Sequence, residues 1–138
     1  MYEILDHTAD VKIKITSNNI FDFFKNLIDS LNTIINFSEN EVSYILNKKK
    51  YKNTKIVLQD FDDYQKVFNF ISKYIYYLDA KAMLIIDINY ITVKKEIWEI
   101  GVKLIKVDKK KFKGYLKAPT YCDFNFKSEY YLEVIIDV

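Results

Sequence analysis

The stretch VKIKIT, residues 11–16, alternates apolar with charged or polar residues without a break. A strand turns successive side chains to opposite faces, so Val11, Ile13 and Ile15 share one face and Lys12, Lys14 and Thr16 the other. Wound as a helix, the same residues would scatter their apolar groups around the axis. Such a segment needs a packed layer on one side and water on the other, as in an antiparallel sheet backed by helices.

The layer that could cover it follows directly. Asn19 reads as a helix N-cap, with Asp22 placed near the positive end of the helix. Ile20, Phe24, Leu27, Ile28, Leu31 and Ile35 then fall on one stripe, and the helix is expected to end near Asn36. VSYILNKKKYKNTKIVLQ (42–59) reads as two strands joined by a Lys- and Asn-rich hairpin. Asp60 is expected to cap a second helix, with Asp63 in its first turn and Asp79 at its close. Its apolar face would comprise Phe61, Tyr64, Phe68, Ile71, Ile75 and Leu78. AMLIIDINYITV (82–93) is apolar enough to predict a central strand. A long β segment spans about 96–107, with a bulge at Gly101. DKKKFKG (108–114) reads as a turn, and strands follow around 115–127 and 130–138. No linker, repeat or composition break divides the chain. The expectation is one α+β domain over residues 1–138, with two helices packed on a largely antiparallel or mixed β-sheet.

Composition narrows the chemistry. The 138 residues carry 21 cationic and 19 acidic side chains, a near balance that gives no general nucleic-acid signature. Every one of those cations is Lys, so no guanidinium fork is available to grip phosphate. Two glycines leave no room for a glycine-rich phosphate loop, and the single cysteine, Cys122, excludes an internal disulfide. No nucleophile elbow, HExxH or CxxC motif is present. These absences point to a binding or accessory protein rather than an enzyme. With no signal peptide or apolar run of membrane-spanning length, a cytoplasmic protein is expected. The Lys runs at 48–50 and 109–111 are candidate phosphate contacts, weighed against the simpler reading of solvated hairpin tips.

The two ends hold the least ordinary chemistry. LDHTADV (5–11) sets the only histidine, His7, between Asp6 and Asp10 just before the alternating strand. At the other end, Asp137 immediately precedes Val138 and its α-carboxylate. Crowded anions raise one another's proton affinity or demand a cation. If the sheet brings Asp10 alongside Asp137, the three carboxylates form a hard oxygen set suited to Ca²⁺ or Mg²⁺. His7 fits an orienting hydrogen-bonding role better than that of a ligand, and Asp10 could equally be only a turn cap.

Taken in order, these blocks resemble the archease family. YEILDHTADV (2–11) is similar to the family's opening motif, and NNIFDFF (18–24) to the start of its first helix. FISKYIYYLDA (70–80) resembles a second-helix motif ending in aspartate, here Asp79. LKAPTYCDFNF (116–126) resembles a Lys-Ala-x-Thr-Tyr-His block, with Cys122 where that block has histidine. VIIDV (134–138) resembles the closing Val-Ile-Leu-Asp-Ile. The first block, the last block and the Lys-Ala-x-Thr-Tyr segment are specific; the helices are not.

The resemblance implies an accessory protein of an RtcB-type, GTP-dependent tRNA-splicing RNA ligase, promoting its guanylylation and multiple turnover. Contact with tRNA and GTP would be indirect. It further implies a divalent metal, Ca²⁺ with Mg²⁺ or Mn²⁺ as alternatives, held by Asp10, Asp137 and Val138. Lys117 matches the lysine tied to ligase activation; Asp6 and His7 belong to the motif as supports of the turn. A chaperone-like modulator of an RNA-modifying enzyme, such as a tRNA methyltransferase, is the alternative role attached to the same family.

Overall fold

The computed structural model describes residues 1–6, 10–35, 37, 39–108, 116–117, 119–127 and 129–137, with the backbone alone for Asp6, Asp10, Glu39, Tyr121 and Cys122. Strands β1 (Tyr2–Asp6) and β2 (Asp10–Ser17) form an antiparallel hairpin in which Asp6 pairs with Val11. Helix α1 (Ile20–Ile34) begins where expected. The Asn19 side-chain oxygen accepts the Asp22 backbone N–H at 2.8 Å, and the Asn19 amide donates to the Asp22 carboxylate at 2.8 Å. These two bonds satisfy an orphan donor of the first turn and fix the cap. Phe23, Phe24, Leu27, Ile28 and Leu31 are fully buried.

The next segment departs from the expected hairpin. Residues Glu39–Lys48 form a further helix, α2, and only Lys52–Gln59 is a strand, β3. The alternation in VSYIL suggested a strand, yet Val42, Ile45 and Leu46 also fall on one helical face. Those three side chains pack against the core. Burial of that stripe outweighs the strand preference of Val and Tyr. The helix ends at Lys49 in a left-handed conformation (φ 53). The N–H of Lys49 reaches the Leu46 carbonyl and that of Lys50 the Ile45 carbonyl, the paired bonds of a Schellman cap.

Helix α3 (Asp63–Lys81) is capped by Asp62 rather than Asp60; the Asp62 carboxylate accepts from Tyr64 N–H at 3.0 Å, and Asp60 in turn accepts from Asp62 N–H. Its buried face is rotated from the expected one. Val67, Phe70, Ile71, Tyr74 and Leu78 face inward together with Lys66, while Phe61 is 86 % exposed. The lysine is tolerated because its ammonium meets the Asp63 carboxylate at 3.1 Å and the Lys95 carbonyl at 3.2 Å, over the face of Trp98.

Strands β4 (Met83–Val93) and β5 (Ile97–Lys106) join β3 in a three-stranded antiparallel sheet of order β3-β5-β4. The centre is therefore β5, and the apolar β4 lies at an edge, covered by α1 and α3. The bulge expected at Gly101 is found across the ladder from it: β4 carries register shifts between Ile85 and Asp87 and between Ile88 and Tyr90, the second ending at the Tyr90–Gly101 pair. Gly101 serves close approach: a Cβ there would overlap the Tyr90 ring, whose hydroxyl bonds Glu99 at 2.8 Å. Strands β6 (Pro119–Asn125) and β7 (Tyr130–Asp137) complete a second antiparallel sheet of order β1-β2-β7-β6. Helix α1 packs against β4 of one sheet and β1, β2 and β7 of the other, so the core is continuous between the sheets. The α+β class is thus as expected, with three helices and two sheets among the described residues. Within the same residues no helix is long and apolar enough to cross a membrane. The turn expected at 108–114 lies, but for Asp108, outside the described residues.

Candidate functional site

Strands β2 and β7 pair over their full length, and the last pair of the ladder sets Asp10 opposite Asp137. Directly opposed residues of an antiparallel ladder have Cα atoms about 4.5–5.5 Å apart and occupy the same face of the sheet. The register follows from burial. Ile13 and Ile15 of β2 and Leu132, Val134 and Ile136 of β7 all point into the core. A slip of one residue would turn these to water, so the pairing is held in place by the apolar face. Asp10 of the head motif and Asp137 of the tail motif are thereby brought to one corner of the four-stranded sheet.

Lys117 reaches the same corner by a different route. Its backbone N–H donates to the Asp137 carbonyl at 2.8 Å. Leu116 before it is buried and anchors the segment to the core, whereas the Lys117 side chain is exposed. Pro119 then enters β6 opposite Ile136. Leu116 and Lys117, and then β6 from Pro119, thus run along the sheet edge beside the end of β7.

The outer face next to this corner is charged. Lys12 makes a close ion pair with Glu133, and the Tyr131 hydroxyl donates to the same carboxylate at 2.7 Å. The Lys12 ammonium first, and the tyrosine hydroxyl second, hold the Glu133 carboxyl below the usual range. Asp137 is exposed at the end of this row. Lys12 and Glu133 were not singled out in the sequence; the signal available was the polar half of VKIKIT facing the polar half of YYLEVIID.

Of the residues named from sequence, the backbone register brings Asp10, Asp137 and Lys117 together. Asp6 lies at the end of β1 on the far side of β2 from β7, paired with Val11. His7 and Val138 lie outside the described residues, as do the side chains of Asp6, Asp10 and Cys122. The backbone of Cys122 sits at a register shift of β6, between Tyr121 and Asp123. Among the described residues no three His, Cys, Asp or Glu side chains cluster. The register sets two carboxylate-bearing positions opposite each other, and carboxylate oxygens are the hard donors that suit a divalent cation.

A search of curated proteins found no match. Family models give a different result: residues 2–138 match the archease protein family (MTH1598/TM1083), essentially the whole chain. Head motif, tail motif and the lysine block between them therefore belong to one continuous family match, and the chain is a member of the archease family.

Proposed function

We propose that this protein is an accessory factor of an RtcB-type, GTP-dependent tRNA-splicing RNA ligase, promoting its guanylylation and multiple turnover, and that the corner built from Asp10, Asp137 and Lys117 carries that role. The supporting observation is the register that opposes Asp10 to Asp137, with Lys117 tied to Asp137 through its backbone. Two carboxylates opposed on a ladder repel each other, so the corner favours a cationic occupant. Asp10 and Asp137, with an oxygen of Val138, would hold a divalent cation, Ca²⁺ or alternatively Mg²⁺ or Mn²⁺. When bound, such an ion supplies positive charge beside a phosphoryl centre, where negative charge must be neutralised.

The protein's own residues do the rest. The antiparallel ladder sets the backbones of the two aspartates directly opposite each other. Lys117, exposed and fixed at its backbone, offers an ammonium to an anionic group of the ligase or its nucleotide. The Lys12–Glu133 pair neutralises the adjacent row, leaving the acidic end as the distinctive feature of that face.

The test is multiple-turnover RNA ligation by the partner ligase with and without this protein, using Asp10→Asn, Asp137→Asn and Lys117→Gln. Stimulation should require the wild-type protein and fall at least about tenfold in each carboxamide variant, a loss of about 1.4 kcal/mol. A parallel Ca²⁺ titration of the protein alone should show binding that both Asn variants abolish. Full stimulation by a folded Asp10→Asn or Asp137→Asn protein removes the carboxylate mechanism. No stimulation by the wild-type protein removes the ligase role and leaves the methyltransferase-modulator alternative.

A further inference from the structure

The Lys run at 48–50 is not a hairpin tip. It closes helix α2, and the Schellman cap turns the chain so that Lys49, Lys50 and Lys52 border a cleft of about 550 Å³. The fourth lysine of the rim, Lys106, comes from the far end of β5, opposite Met83 in the ladder. The floor is apolar, formed by Ile45, Leu104 and their neighbours, and among the described residues the lining contains no carboxylate. Among the described residues, none of these four ammonium groups has an ion pair or a side-chain hydrogen bond. Lys103 lies just behind, over the ring of Tyr51. In a chain of nearly balanced charge, cations gathered from two distant segments form a local positive field that attracts anions.

We propose that this cleft binds a single-stranded nucleic acid, its phosphates met by Lys49, Lys50, Lys52 and Lys106 and a base or sugar resting on the apolar floor. Several lysines spread along a rim suit a chain of phosphates better than one compact anion, for which a converging fork of donors would be needed. The apolar floor gives a nucleotide something that a bare polyphosphate cannot use. A duplex keeps its bases stacked inside and leaves that floor unfilled. The site lies on the three-stranded sheet, apart from the carboxylate corner on the four-stranded one, and it does not depend on the role proposed for that corner.

The experiment is fluorescence anisotropy of the full chain with a labelled 12-residue oligouridylate, titrated at several salt concentrations. The wild-type protein should bind, and Lys50→Gln/Lys52→Gln should weaken binding at least about tenfold at low salt. That variant should also reduce the slope of log affinity against log salt by about 1.4, at about 0.7 for each phosphate no longer neutralised. Lys94→Gln/Lys127→Gln, removing the same charge from elsewhere on the surface, should change affinity by less than about twofold. Circular dichroism checks that both variants fold. An oligothymidylate strand should compete, whereas inorganic polyphosphate and a duplex of equal length should compete poorly. The proposal is overturned by no wild-type binding, by equal losses in the two variants, or by polyphosphate or duplex competing as well as the single strand.

Discussion

Tyr74 of α3 and Asn32 of α1 are almost wholly buried, at 1 % and 2 % exposure, and their hydrogen bond ties the two helices to β4. The Tyr74 hydroxyl donates to the Asn32 side-chain oxygen, and the Asn32 amide donates to the Ile85 carbonyl at 3.2 Å. That carbonyl belongs to β4 at one of its register shifts, where ladder pairing is interrupted. Tyr74→Phe keeps the ring and leaves the Asn32 oxygen buried without its donor. Orphaning such a group costs about 1–3 kcal/mol. Taking about 2 kcal/mol, a chain of this length should melt on the order of 7 °C lower. Asn32→Ala should cost more, because the Tyr74 hydroxyl and the Ile85 carbonyl are both left without partners. Tyr74→Phe/Asn32→Ala should then cost about 1–2 kcal/mol less than the sum of the single changes, since the second substitution removes a group the first had stranded. Urea unfolding gives all three values, with an unchanged m-value showing that the native state is intact. A Tyr74→Phe cost below about 0.5 kcal/mol, or additivity within about 0.3 kcal/mol, would refute the network. Burial pushes the Tyr74 hydroxyl well above its ordinary 10.0. Above that pH the unfolded chain releases a proton the folded chain retains, so this residue's contribution is complete below pH 10.0 and is lost as pH rises. Tyr74→Phe should therefore lose less stability between neutral and alkaline pH than the wild-type protein does.

Other outcomes follow from single residues. Glu133, held low by Lys12 and Tyr131, adds stability that is present above its ordinary 4.5 and lost as pH falls through its lower folded value. Glu133→Gln should flatten the acid limb of the stability profile, measured by urea midpoints at successive pH values. Lys49 adopts a left-handed conformation that glycine occupies without steric cost, so Lys49→Gly should raise unfolding free energy by about 0.5–1 kcal/mol. Thermal melting reads that gain; a lower melting temperature would show that the lysine stem contributes more at the cleft than the backbone strain costs.

Sequence legibility followed the range of the forces involved. The hairpin strand at 11–16, the Asn19 cap, the stripe of α1 and the strands at 83–93 and 97–106 were readable because period and capping are properties of neighbouring residues. Helix α2 is not legible locally because VSYIL fits both periods, and only the core it packs on decides between them. The buried face of α3 is hidden for a related reason. Lys66 looks like a solvent residue until Asp63, the Lys95 carbonyl and Trp98 surround it. An apolar β4 suggested a sheet centre, yet helices on its face supply the burial while β5 takes the middle.

By itself the sequence determined the α+β class, the chemistry available at each end of the chain and, through its ordered motifs, the family. It could not show that Asp10 and Asp137 are ladder partners, that Lys117 is tied to the same strand end, or that Lys106 joins Lys49, Lys50 and Lys52. Those are meetings of residues far apart along the chain. Each depends on strand register and on which face the core claims, and both are settled only when the whole apolar interior closes.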